Sequence, residues 1–159
     1  MGEVNWLSDS EQQIWRALLH AKRSVDRAID VRLQTQADIS TADFSVLVVL
    51  SEAEDETVRM RELCDALSWD RSRMSHQITR MEKRGLVTKH RCEKDNRGID
   101  VVLTDRGREV ITEVAPDHVN LVRKIVFDVL DGVDFDLVMP YLKRIVEASE
   151  EAIENPETV

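Results

Sequence analysis

A chain of 159 residues, 42% hydrophobic and 33% charged, has enough apolar side chain to fold around one core and too little length for two. No apolar run approaches the roughly 18–20 residues that cross a bilayer, the first residues lack the basic-then-apolar layout of a secretory signal, and Cys64 and Cys92 show neither metal-type spacing nor a disulfide framework. These features predict a single-domain cytoplasmic protein with no membrane span, no metal and no cofactor. The net charge of −9 is unevenly spread: residues 59–108 hold thirteen Arg or Lys against eight Asp or Glu, and the remainder nine against twenty-three. Between Arg71 and Arg91 seven basic residues face Glu82 alone. A basic segment inside an acidic chain is the electrostatic footprint of a nucleic-acid binder.

In chain order, residues 9 to about 36 predict one long helix, with Ile14, Leu18, Ala21, Val25, Ile29 and Leu33 at steps of three or four and Ser8 or Ser10 as its cap. Its apolar stripe is longer than a small domain covers, which predicts a partner helix. Ser40 or Thr41 caps a second helix over residues 42–53, closed by the acidic run 52–56 as a loop. Met60, Leu63, Cys64 and Leu67 then mark a helix of about eight residues. Ser68-Trp69-Asp70 form a tight turn with Asp70 as the next N-cap and Trp69 placed to staple onto Met74. The following helix runs to about Arg84 with Met74, Ile78 and Met81 inward, and Gly85 ends it in the left-handed conformation. The period then changes to two. Residues 86–92 and 99–103 predict strands joined by the polar tip 93–98, and Thr104 caps a further helix. Val119, Val122, Val126, Val129 and Val133 carry a helical stripe, and a last helix spans 135–154, interrupted by Pro140.

Two short helices joined by a tight turn and followed by a hairpin make a winged helix-turn-helix, so the fold class is mainly α with a small β-hairpin wing. Its second helix enters the major groove, which calls for short polar and basic side chains outward. Arg71, Ser72, Arg73, Ser75, His76, Gln77 and Arg80 fill that role, those from Arg71 to His76 nearest the bases. Arg80, Lys83 and Arg84 are assigned to phosphate. At the wing tip Arg97, beside Gly98, suits a narrow minor groove, and Asp95 is placed to orient it. His20, His76, His90 and His118 are scattered, without nucleophile–base spacing or a phosphate loop, so no enzyme is expected. A protein-binding winged helix would lack the basic outer face.

The stretches Arg61-Glu62-Leu63-Cys64-Asp65-Ala66-Leu67, Asp70-Arg71-Ser72-Arg73-Met74-Ser75, Met81-Glu82-Lys83-Arg84-Gly85-Leu86-Val87, and Asp95-Asn96-Arg97-Gly98 with Val102-Leu103-Thr104-Asp105-Arg106-Gly107 resemble the multiple antibiotic resistance regulator (MarR) family. The resemblance implies one domain over 1–159, a winged-helix DNA-binding lobe over 38–107, and dimerisation helices over 9–37 and 108–154. It implies a homodimer on double-stranded DNA at a pseudo-palindromic operator, acting as a repressor released by a small aromatic or phenolic anion. A pocket between the dimerisation helices and the lobe would draw on Trp15, Arg16, His20 and His118. The alternatives are an oxidation-responsive regulator using Cys92, which sits beside Arg91 and Lys94, and a winged-helix protein-interaction module. Cys64 falls on an apolar face and is expected to be buried and inert.

Overall fold

A computed structural model describes residues 4–91 and 98–156. Backbone contacts divide the chain into two units, Met1–Ile125 and Val126–Val159.

The first unit opens with α1 (Asp9–Ala37), started by a capping box in which Ser8 and Glu11 satisfy one another's backbone amides, and stopped at Asp38, whose φ of 52° turns the chain out of the helix. Ser40 and Asp43 form a second capping box at the start of α2 (Thr41–Glu52). The acidic segment Glu54–Glu56 makes a short 3-10 turn rather than a plain loop and leads into β1 (Thr57–Arg59). Then come α3 (Met60–Leu67), α4 (Arg71–Lys83), β2 (Val87–Arg91), β3 (Ile99–Leu103) and α5 (Asp105–Val122). Gly85, at φ 73°, ends α4 as expected, with Leu86 N–H donating back to the Met81 carbonyl at 3.0 Å.

The expected hairpin is part of a three-stranded antiparallel sheet in the order β1-β3-β2. Val87 pairs with Leu103 and Arg91 with Ile99, while Val58 pairs with Val101 on the other edge of β3. The core gathers Leu33 of α1, Leu47 and Leu50 of α2, Leu63 of α3, Met74, Ile78 and Met81 of α4, Val87, Val101 and Leu103 of the sheet, and Ile111 and Val114 of α5. Arg32 pairs with Asp117, and Gln36 donates to the Glu113 carbonyl at 3.3 Å, so α1 and α5 run antiparallel there. Arg108 forks onto Glu56 and Asp105 and fastens the start of α5 to the turn before β1.

Thr104 caps α5 by accepting from Gly107 N–H at 3.0 Å, and its hydroxyl also lies 2.9 Å from the Leu86 carbonyl it donates to. This draws Gly107 onto the root of the wing. A Cβ at residue 107 would stand 2.2 Å from the Leu86 carbonyl oxygen and 2.7 Å from Leu103 Cδ1. Backbone cannot yield as a side-chain tip does, so Gly107→Ala is expected to cost at least about 2 kcal/mol through overpacking. Urea unfolding checks it, and a midpoint equal to that of the parent chain would contradict the close approach.

After α5 comes the π-turn Arg123–Phe127, within which the second unit begins at Val126, and the chain continues through a 3-10 turn, Asp128–Leu130, to α6 (Phe135–Glu154), which is capped by Asp134 and contains Pro140. Phe127 and Phe135 meet edge to face at 5.8 Å. No residue of α6 is buried.

Candidate nucleic-acid interface

The turn Ser68-Trp69-Asp70 sets the start of α4. Ser68 closes α3 at φ 52°, and the Asp70 carboxylate accepts from Arg73 N–H at 2.9 Å. With Met74, Ile78 and Met81 driven into the core, the helical period leaves Arg71, Ser72, Arg73, Ser75, His76 and Arg80 exposed, as expected. Trp69 packs partly on the core and carries Arg73 on its ring face, the guanidinium carbon 4.2 Å from the centroid. Arg59, Arg61, Arg71 and Ser75 line a cleft between α3, the start of α4 and the β3 end of the hairpin.

Gln77 departs from the expected outer face. It is 2% exposed, and its amide is spent inside the protein. Its Nε2 donates to Asp43 Oδ1 at 2.6 Å, and its Oε1 accepts from the Arg80 guanidinium. Asp43, 5% exposed, accepts through its other oxygen from Ser40 N–H at 2.8 Å, Ser40 Oγ at 2.8 Å and Arg84 at 3.0 Å. Arg84 also donates to the Asp38 carbonyl at the end of α1. The sequence placed Gln77 on the outward, DNA-facing side of the helix and assigned Arg84 to phosphate. Both turn toward the buried carboxylate that α2 offers, and partners thirty-four and forty-one residues away leave no local signal. Glu82, the lone acid of the basic stretch, is occupied by β2: it accepts from Lys89 N–H at 3.2 Å and pairs with Lys89 Nζ at 2.8 Å. This fixes the wing strand to α4. Asp95, Arg97 and Cys92 lie outside the described residues.

The four residues assigned to a ligand pocket are not brought together within one chain. Trp15, Arg16 and His20 are exposed near the start of α1, where Arg16 donates to Gln12 at 3.2 Å. His20 lies three turns, about 18 Å, N-terminal of Arg32, whose partner Asp117 adjoins His118. His118 is half-buried against Phe44, ring centroids 4.4 Å apart, with its Nδ1 buried and unpartnered, as is Gln36 Oε1. Burial holds its pKa below the usual histidine value. The fold therefore prefers the neutral ring, and the unfolded chain takes up the proton first. This contribution to stability is present above about pH 6.5 and is lost as the pH falls from there through the folded pKa. His118→Phe keeps the ring contact and should flatten the fall in melting temperature between pH 7.5 and 5.5; equal slopes in both proteins would contradict it. Cys64 is half-buried, and burial, reinforced by the Asp65 charge, raises its pKa and keeps it a thiol. Among the described residues no cluster of three or more His, Cys, Asp or Glu is arranged to hold a metal ion.

Residues 31–114 match the family model of the SarA/Rot transcriptional regulators. Among solved structures, the chain is similar to AbsC, a MarR family transcriptional regulator from Streptomyces coelicolor, at 39% identity over 93% of this chain and 99% of that one, with a TM-score of 0.88. It is also similar to Sco3205, a MarR family regulator from the same organism solved in complex with DNA, at 36% identity over 94% and 92% of the two chains, with a TM-score of 0.85. Among curated relatives it matches the transcriptional repressor MprA of Escherichia coli at 28% identity, over 52% of this chain and 47% of that protein. It matches the regulator YdgJ of Bacillus subtilis at 26%, over 69% and 66%. The chain thus spans about half to two thirds of the length of these curated relatives.

Proposed function

From its membership of the MarR family of winged helix-turn-helix transcriptional regulators, to which this chain belongs, we propose that it binds a pseudo-palindromic operator as a homodimer and represses transcription in the cytoplasm. It is a regulator and not an enzyme. The observation that carries the DNA reading is the outward face of α4, where Arg71, Arg73 and Arg80 stand exposed among Ser72, Ser75 and His76 with no acidic side chain between them. Residues at the N-terminal end of a recognition helix meet base edges, so Arg73 and His76 are the readers and Arg80 meets phosphate. Asp95 and Arg97 are kept as the wing's contacts.

Selection of bound sequences from random DNA tests this directly. An enriched palindrome supports it, and a lack of enrichment would contradict operator recognition. On the selected site, Arg73→Ala and His76→Ala should each cost roughly 1–3 kcal/mol of specific affinity. If both lose specific and random DNA alike, neither reads bases.

Release by a small aromatic or phenolic anion belongs to the same reading, favoured by the unpartnered His118 Nδ1 beside the Phe44 ring. Phenolic acids should then displace the DNA. Displacement by peroxide instead, lost in Cys92→Ser, would assign the gate to oxidation.

A further inference from the structure

We propose that Gln77 is a positioning residue for DNA binding: held by the buried carboxylate of Asp43, its amide fixes the guanidinium of Arg80 on the DNA-facing side of α4. The inference rests on the reading of Arg80 as a phosphate contact.

The chemistry at the two ends of Gln77 is fully determined. An aspartate only accepts and a guanidinium only donates. The amide must therefore turn its NH2 toward Asp43 and its oxygen toward Arg80, which is the arrangement observed. Asp43 cannot drift, because its second oxygen is fixed by the Ser40 amide and hydroxyl and by Arg84. The start of α2, the end of α1 through the Asp38 carbonyl, and the middle of α4 are thus joined by one set of hydrogen bonds, and its last member is an exposed cation.

The choice of an amide at position 77 has a functional reason. A glutamate there would also hold Arg80, but it would neutralise the charge that phosphate needs and would bring a second carboxylate to 2.6 Å from Asp43. A hydrophobic residue would fill the space and leave Arg80 free to sample many rotamers, all of which must be given up when DNA is bound. Glutamine keeps the full positive charge and removes the freedom.

The relay also predicts how its members fail. Asp43→Asn presents a donor to a donor, so the Gln77 amide turns over and shows its NH2 to Arg80. Gln77→Glu fails by repulsion from Asp43. Combined, they restore every hydrogen bond. The amide introduced at position 43 keeps its oxygen for Ser40 and Arg84 and donates its NH2 to the carboxylate introduced at position 77, which accepts from Arg80.

The experiment measures operator affinity, its salt dependence and melting temperature for the full chain carrying Arg80→Ala, Gln77→Met, both together, Asp43→Asn, Gln77→Glu, and the last two together. Arg80→Ala should lose about five- to tenfold on specific and random DNA alike and flatten the salt slope by about one. Gln77→Met should lose several-fold alone and nothing further on top of Arg80→Ala, and Asp43→Asn with Gln77→Glu should regain most of the melting temperature that either single change loses, while operator affinity stays below that of the parent chain because the carboxylate at position 77 neutralises Arg80. A merely structural role for Gln77 would instead lower the melting temperature and weaken DNA binding equally with or without Arg80, and would overturn the proposal. So would full affinity in Gln77→Met, or no recovery of melting temperature in the pair. Unchanged affinity in Arg80→Ala would remove Arg80 from the interface and the relay with it, a result distinguishable from failure at Gln77 alone.

Discussion

Replacing Asp43 by alanine is expected to destabilise the first unit by about 3 kcal/mol, lowering its melting temperature by roughly 10 °C. The carboxylate is 5% exposed and accepts from four donors. Without it, Ser40 N–H and Gln77 Nε2 remain enclosed with nothing to donate to, and each stranded donor costs about 1–3 kcal/mol. Arg84 contributes less than its 3.0 Å ion pair suggests, because its side chain is 36% exposed and turns to water once released. The capping box at α2 loses one of its two bonds, since Ser40 Oγ still receives Asp43 N–H at 3.1 Å. Urea unfolding at fixed protein concentration measures the loss. A change below about 1 kcal/mol would mean that water reaches these donors and that the carboxylate does not organise the junction.

The elements and most of their ends were legible in the sequence because they are set locally. Ser8, Ser40, Asp70 and Thr104 cap the helices they precede, and Gly85 stops α4, each through bonds that span three to five residues. The strand at 99–103 was legible because a period of two over Ile99 to Leu103 has no helical reading. The third strand was not. Thr57–Arg59 is too short to show a period and is a strand only because Val101 and Val102 lie beside it. Gln77 failed for a related reason. Polar residues on a surface helix default outward, and only the fold brings Asp43 close enough to take the amide. Trp15, Arg16 and His20 looked like companions of His118 because a chain read as one sequence does not disclose which turn of a long helix faces which neighbour.

Ile145→Glu should convert the proposed homodimer to a monomer and lower operator affinity at least a hundredfold, with the first unit still folded. α6 is twenty residues long without one buried side chain, and Phe135, Val138, Leu142, Ile145, Val146 and Ile153 share a face of it at steps of three, four or more. A helix of that length gains too little from its own hydrogen bonds to leave such a stripe in water. A second copy of the chain is the cover the proposed homodimer supplies, and an isologous interface places Ile145 in it twice. A carboxylate introduced there must be desolvated in both protomers or the interface must open, and opening is the cheaper course. A monomer then meets only one half-site, losing the effective concentration that the first bound lobe gives the second. The core of the first unit lies wholly within Met1–Ile125, so its unfolding transition should survive. Arg144, Glu147 and Glu151 fall on the opposite side of the helix, and Glu151→Ala serves as the control that leaves mass and affinity unchanged. Sedimentation at micromolar concentration and binding to the selected operator decide it. An Ile145→Glu protein that stays dimeric with full affinity would show that the copies join through some other surface.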